Sequence, residues 1–244
     1  MAPDAAVLLA PVKELKSHSG NHRIVAGKPL PEALLAENPD EVHEGGANLR
    51  KQIENVRIHG VSPVVAINRF PEDYDADLEA IAEIAEECGA RCAITNHFSQ
   101  GGEGASELAE AVAEATEEKT SFSVLYPDEM DIKEKIKTVA TKVYGAENVE
   151  FSAAATKQID SYTENGFGNL PVCIAKTHLS VSSDASLKGA PTGWTLPVRE
   201  VRASIGAGFV YPICGEMRTM PGLGKNPAAA SIDIDENGEI VGLS

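Results

Sequence analysis

Residues 61–71 read VSPVVAINRFP, and their pattern decides the fold. Positions 61–67 are almost continuously apolar, without the polar-out alternation of a strand wetted on one side. Such a run marks a strand covered on both faces, which is the situation of a parallel sheet. The next apolar residues change period: Leu78, Ile81, Ile84 and Ala85 fall on one helical face within residues 75–88, and Gly89 follows as a stop. The same unit lies on either side. Upstream, residues 5–10 (AAVLLA) form an apolar run, and residues 49–58 (LRKQIENVRI) space Leu49, Ile53 and Val56 as a helix before Gly60. Downstream, residues 91–98 (RCAITNHF) read as a strand and residues 105–118 (ASELAEAVAEATEE) as a helix. Three strand-then-helix units in succession predict an α/β fold with a mainly parallel sheet and flanking helices over residues 1–120.

Between the first strand and the first helix, residues 17–46 carry four Gly and three Pro among Ser, Asn, His and Glu. They read as a long surface excursion. Beyond residue 120 the pattern changes to a smaller mixed α/β domain, residues 121–244. Helices are expected over 132–144 and 152–162, and strands over 122–126, 170–175, 196–201, 208–213, 231–235 and 239–243. Asn237-Gly238 joins the last two as a tight hairpin.

The 244 residues are 43% hydrophobic and carry a net charge of −16. That charge disfavours non-specific binding to nucleic acid or to an anionic membrane, so an anionic ligand needs a local pocket. Cys88, Cys92, Cys173 and Cys214 are too few for a disulfide framework in a chain of this length, and read as structural thiols in a reducing compartment. Acidic Asp4 stands where a secretory signal would be basic, and no apolar run approaches a membrane span, so a soluble cytoplasmic protein is expected.

Open parallel sheets bind ligands beyond the carboxyl ends of their strands. Two such ends carry an aromatic ring beside polar groups: Asn68-Arg69-Phe70-Pro71, and residues 96–104 with Phe98, Gly101, Gly102, Glu103 and Gly104. Pro71 biases Phe70 to an extended backbone, and the glycines allow close approach of a ligand. Two such rings can sandwich a planar heterocycle. Two readings of these residues stand side by side: a ligand cleft, or core rings under a loop with a plain strand-to-helix turn after them. Gly89 interrupts the Cys88–Cys92 spacing and no second ligand pair follows, which argues against zinc. His18 and His22 have no carboxylate partner nearby in the sequence and read as solvent-exposed. No Gly-x-x-x-x-Gly-Lys-Ser/Thr phosphate loop, Gly-x-Ser-x-Gly elbow or His-Glu-x-x-His motif occurs.

Several blocks resemble the formate–tetrahydrofolate ligase family, also called formyltetrahydrofolate synthetase. They are residues 64–71 (VVAINRFP), 101–104 (GGEG), 170–177 (LPVCIAKT), 191–193 (PTG), 198–209 (VREVRASIGAGF), 217–223 (MRTMPGL) and 232–243 (IDIDENGEIVGL). The resemblance runs through nearly the whole chain in one order and implies the carboxyl-terminal half of a protein about twice as long. The phosphate loop and the groups that hold formyl phosphate and adenine would lie in a missing amino-terminal half, making the first unit the end of a P-loop-type ligase domain. It implies ATP, Mg²⁺ and a monovalent cation as cofactors, and formate and tetrahydrofolate as substrates joined through formyl phosphate. It also implies a homotetramer.

The family's folate pocket falls on Phe70 with Pro71, on Phe98, and on Ile94 as an apolar wall. Many members carry Trp at position 98. Pro11 and Lys13 stand where the usual pattern has Thr and Arg. Two function classes follow: a ligase half, inactive alone for want of the phosphate loop, or a folate-binding or scaffold module without catalysis.

Overall fold

The computed structural model describes residues 2–25, 28–217, 227–238 and 240–242. Residues 218–223 of the block at 217–223, and Glu239 and Leu243 of the terminal hairpin, lie outside the described residues. The chain opens with β1 (Ala5–Pro11) and runs directly into α1 (Val12–Ser17). A short α2 (Glu32–Leu35) precedes the long α3 (Pro39–Arg57). Then come β2 (Ser62–Asn68), α4 (Asp75–Glu87) and β3 (Arg91–Thr95). The one-turn α5 (His97–Gln100) and α6 (Ser106–Thr116) complete this part.

β1, β2 and β3 form a sheet in that order, and both pairings are parallel, as the unbroken apolar runs require. On one face Ala10, Val65 and Ile67 pack under Leu15, Val42, Leu49, Ile53, Leu78, Ile81 and Ile84 from α1, α3 and α4. Val64 and Ala66 point the other way and are fully buried, where α6 lies against β3 and β2. Among the described residues β1 pairs on one side only, and Val7 (49% exposed) and Leu9 (59%) stand open on this edge strand.

The second part contains α7 (Ile132–Lys142), β4 (Asn148–Phe151), α8 (Ala153–Glu164), β5 (Thr195–Ser204) and β6 (Phe209–Cys214). β4 pairs parallel to β5 and β5 antiparallel to β6, so this sheet is mixed. Asp131 and Ser152 cap α7 and α8 by accepting from Glu134 N at 3.0 Å and Ala155 N at 3.0 Å. Ile132, Ile136, Ala155, Ile159, Trp194, Leu196, Val198 and Val210 form its own core. Two short strands, β7 (Asp233–Ile234) and β8 (Ile240–Val241), make the antiparallel hairpin expected from Asn237-Gly238. The α/β class read from the sequence is the one observed.

Several boundaries differ from the sequence reading. The first helix was expected over residues 49–58, yet α3 begins ten residues earlier. Asn38 caps it by accepting from Glu41 N at 3.2 Å, Pro39 occupies the first turn, and Asp40 and Glu41 complement the helix dipole. Gly45 and Gly46 argued against a helix there, but close packing is the reason for them. A Cβ on Gly45 would sit 1.8 Å from the Leu15 carbonyl oxygen, and one on Gly46 would sit 2.7 Å from Ile84 Cδ1.

No strand forms at 122–126: the segment is tied to the turn after α3 through Ser121 N to Gly60 O (3.1 Å) and Ser123 N to His59 O (3.0 Å), and the Tyr126 hydroxyl accepts from Val172 N at 3.1 Å. Residues 170–175 make two isolated bridges, Val172 with Val210 and Ala175 with Ile213, because Pro212 on β6 has no N–H to donate to Cys173 O and so interrupts the ladder between them. The third strand stops at Thr95, and Phe98 belongs to α5 instead.

Candidate functional site at the carboxyl ends of the first sheet

Pro11, Asn68 and Thr95 lie side by side as the last residues of the three parallel strands. The segments leaving them carry the candidate residues. Arg69 N continues the β2–β3 ladder by donating to Thr95 O at 3.1 Å. The chain then turns: Phe70 N donates to Asp73 Oδ2 at 2.8 Å and Asp73 N returns to Phe70 O at 3.0 Å. This closed turn, with Pro71 inside it, fixes the Phe70 backbone. Burial raises the Asp73 carboxyl above its ordinary range, and the bond from Phe70 N opposes that rise.

Across from it, Thr95 Oγ1 lies 2.9 Å from His97 Nδ1 at the start of α5, which presents Phe98. The two rings meet with centroids 5.3 Å apart and planes at 55°. Phe98 is 64% exposed, so the core reading does not fit it. Ile94, four residues earlier on β3, is 38% exposed and offers an apolar surface. A sandwiched heterocycle needs about 7 Å between rings, two contacts of about 3.5 Å. The rings as they stand therefore touch and leave no slot. A planar ligand stacks on an outer face or parts them, and Phe98, on a single exposed helical turn, is the ring with room to swing.

The glycines after Phe98 divide by role. Gly101 takes φ +60° to end α5, and a Cβ on Gly101 or Gly102 would meet nothing within 4 Å. Gly104 closes the loop on itself: a Cβ there would stand 2.6 Å from Asn96 O, and Asn96 N donates to Gly104 O at 2.8 Å. Glu103 is exposed and opens the 3-10 turn Glu103–Ala105 ahead of α6.

The sequence reading missed the basic side of this edge. Lys13 Nζ stands 5.1 Å above the Phe70 ring and pairs with Glu72, whose carboxyl that bond holds below its usual range. One turn on, Lys16 is fully buried and donates to Asp77 Oδ2 (2.6 Å) and Ala36 O (2.6 Å), while Asp77 Oδ1 accepts from Asn38 N at 2.9 Å. This pair fastens α1 to α4 beneath the edge. The signal available was the Lys13–Lys16 spacing, which puts both ammoniums on one face of a helix leaving β1.

His18 and His22 also depart from expectation. His22 Nε2 lies 2.8 Å from Glu41 Oε1, and Ser19 Oγ donates to the same oxygen at 2.8 Å. Burial pushes the Glu41 carboxyl up, but these bonds outweigh it and the group stays below its ordinary range. His18 Nδ1 accepts from Gly189 N at 3.3 Å and is held low by burial. Both histidines staple the excursion to the body of the protein.

A cavity of about 560 Å³ lies elsewhere, near the amino ends of the strands between the two sheets, with Leu8, Val56, Phe122, Tyr126 and Val172 in its walls. It is roomier than the carboxyl edge but lies at the end of the strands opposite the one where such sheets bind ligands, and the sequence-read residues do not line it. Among the described residues no group of three or more His, Cys, Asp or Glu side chains converges on a cation site. No helix among the described residues is long and apolar enough to cross a membrane.

The family model described as formate–tetrahydrofolate ligase matches residues 1–244. Among curated relatives, the formate–tetrahydrofolate ligase of Saccharopolyspora erythraea is 65% identical over 244 residues. Formate–tetrahydrofolate ligase 3 of Rubrobacter xylanophilus is 58% identical over 252 aligned positions, and the Cutibacterium acnes protein is 55% identical over 243. Each match takes in 100% of this chain but only 43%, 44% and 43% of the respective relative, so the chain spans less than half the length of these proteins. On a match along its full length, the chain belongs to the formate–tetrahydrofolate ligase family.

Proposed function

We propose that this chain is the tetrahydrofolate-binding portion of an ATP-dependent formate–tetrahydrofolate ligase, with Phe70, Pro71, Ile94 and Phe98 as the platform for the pterin. The observation that carries the reading is the meeting of Phe70 and Phe98 at adjoining strand ends, with Phe98 left open to a ligand. Asn68 and residues 101–104 border that platform. In the whole protein, ATP would phosphorylate formate, and the folate amine would attack the formyl carbon and release phosphate to leave 10-formyltetrahydrofolate. The contribution of this chain is orientation: stacking fixes the plane of the pterin and so narrows the directions from which N10, one methylene away from the ring, approaches the formyl carbon. ATP, Mg²⁺, a monovalent cation, a cytoplasmic setting and a homotetramer belong to the proposal for the whole protein.

Residues 1–120 and 121–244 are proposed as two domains, a division supported by their separate cores. A second reading is a folate-binding module without catalysis, for which the exposed Phe98 ring beside Phe70 is sufficient. The test is calorimetric titration of the chain with tetrahydrofolate, then an assay of formate-dependent ADP release with and without a separately produced amino-terminal portion of a relative. Saturable folate binding with turnover only in the mixture supports the ligase reading, binding without turnover in either supports the module, and the absence of binding rejects both.

A further inference from the structure

Asn68 ends the central strand two residues before Phe70 and is only 6% exposed. Its Oδ1 is buried and has no hydrogen-bond partner among the described residues. The neighbours in its row explain why. Pro11 on one side has no N–H and no side-chain donor, and Thr95 on the other has its hydroxyl 2.9 Å from His97 Nδ1. A buried acceptor left unpaired is costly, and native proteins leave few of them. Neither neighbouring strand sends it a hydrogen bond.

Resting on the pterin reading above, we propose that Asn68 Oδ1 is the acceptor for the N–H edge of the bound heterocycle, and so a specificity-determining residue of that site. A pterin presents an exocyclic amino group and a lactam N–H along one edge of its ring. Stacking on Phe70 and Phe98 reads only flatness and tolerates any aromatic ligand. An acceptor fixed at the end of the central strand reads the donor edge and sets the rotation of the ring in its plane. A heterocycle without donors leaves Oδ1 unpaired and loses affinity, because such discrimination comes from the penalty on the unpaired group.

Titration of tetrahydrofolate into wild type, Asn68→Leu and Asn68→Asp, each beside a thermal melt, tests this. Leu has the same number and branching of side-chain heavy atoms and removes the acceptor; Asp keeps it. The expected result is a dissociation constant about tenfold higher for Asn68→Leu, equivalent to about 1.4 kcal/mol, with a melting temperature at or above wild type. Asn68→Asp is expected to bind within about twofold of wild type. Should the leucine variant fail to fold, Asn68→Ala gives the same reading of affinity. Wild-type affinity in Asn68→Leu or Asn68→Ala overturns the inference and leaves the platform standing, as does an aspartate variant as weak as the leucine one. Failure of the wild-type chain to bind tetrahydrofolate removes the platform and this inference together.

Discussion

Gly45→Ala adds one methyl group in the middle of α3, where ordinary helix propensity favours alanine over glycine by about 1 kcal/mol. The structure reverses that sign. The new Cβ would lie 1.8 Å from the Leu15 carbonyl oxygen, against the 3.0 Å below which real Cβ contacts essentially never fall. Because the obstacle is backbone, no rotamer relieves it, and α1 has to move by about 1.2 Å. Overpacking of this kind costs about 1–3 kcal/mol. The same displacement stretches the 2.6 Å contact of buried Lys16 with Asp77, and an uncompensated buried charge costs about 3–5 kcal/mol if the pair breaks outright. A net loss of about 2 kcal/mol or more is expected.

The neighbouring substitution supplies the control. A Cβ on Gly46 meets Ile84 Cδ1 at 2.7 Å, the free end of a side chain. Its adjustment costs about 0.5–1.5 kcal/mol, close to what helix propensity returns. Urea unfolding followed by far-ultraviolet circular dichroism should therefore place Gly46→Ala near wild type and Gly45→Ala well below it. Equal stability of the two variants, or a Gly45→Ala as stable as wild type, would refute the claim that Gly45 exists to let α1 and α3 touch.

Phe98→Ala should leave the melting temperature nearly unchanged, since the ring is 64% exposed, but weaken tetrahydrofolate binding by about tenfold once stacking and ligand burial are both lost; a collapsed melt with an unchanged dissociation constant would contradict the platform. Lys176 gives a prediction about pH. Its ammonium donates to the carbonyls of Thr177 (3.1 Å), Ser180 (2.5 Å) and Ser182 (3.1 Å), and burial lowers its pKa to about 8. The unfolded chain holds that proton up to about pH 10.4, so the unfolded state binds more protons above pH 8 and stability should rise with pH there. Burial pushes Cys214 up to about 12, so from about pH 8.5 ionisation of the unfolded thiol offsets the gain. The difference in urea stability between wild type and Lys176→Met should therefore grow from pH 7.5 to 8.5, and a flat difference would reject this account of Lys176.

What the sequence made legible follows physical range. The three parallel strands were readable because burial on both faces leaves a local imprint, an unbroken apolar run such as residues 61–67. The start of α3 was misread although Asn38, Pro39, Asp40 and Glu41 spell a helix start, because Gly45 and Gly46 argue locally for a loop while their reason lies 30 and 38 residues away, at Leu15 and Ile84. Phe70 and Phe98 were found from their positions at strand ends, but the contact between their rings depends on α5, a turn too short to carry a period. The roles of Lys13 and Lys16 and the unpaired Asn68 oxygen were missed for a related reason. Their meaning comes from neighbours on other strands and helices, such as Asp77, 61 positions from Lys16.

The open side of β1 bears on how the protein behaves in concentrated solution. A parallel edge strand with no second strand partner among the described residues, and with Val7 and Leu9 bare, is a template on which another copy can lay a strand. The opposing force is the net charge of −16, which makes every copy repel every other. That repulsion is long-ranged only in dilute salt: it reaches about 10 Å at 0.1 M and about 3 Å at 1 M. Added salt thus removes the electrostatic barrier while leaving the sticky edge intact, so the shelf life of a stock of this protein should shorten as ionic strength rises. A lysine placed at Leu9 would introduce an edge-blocking side chain that protects even in brine.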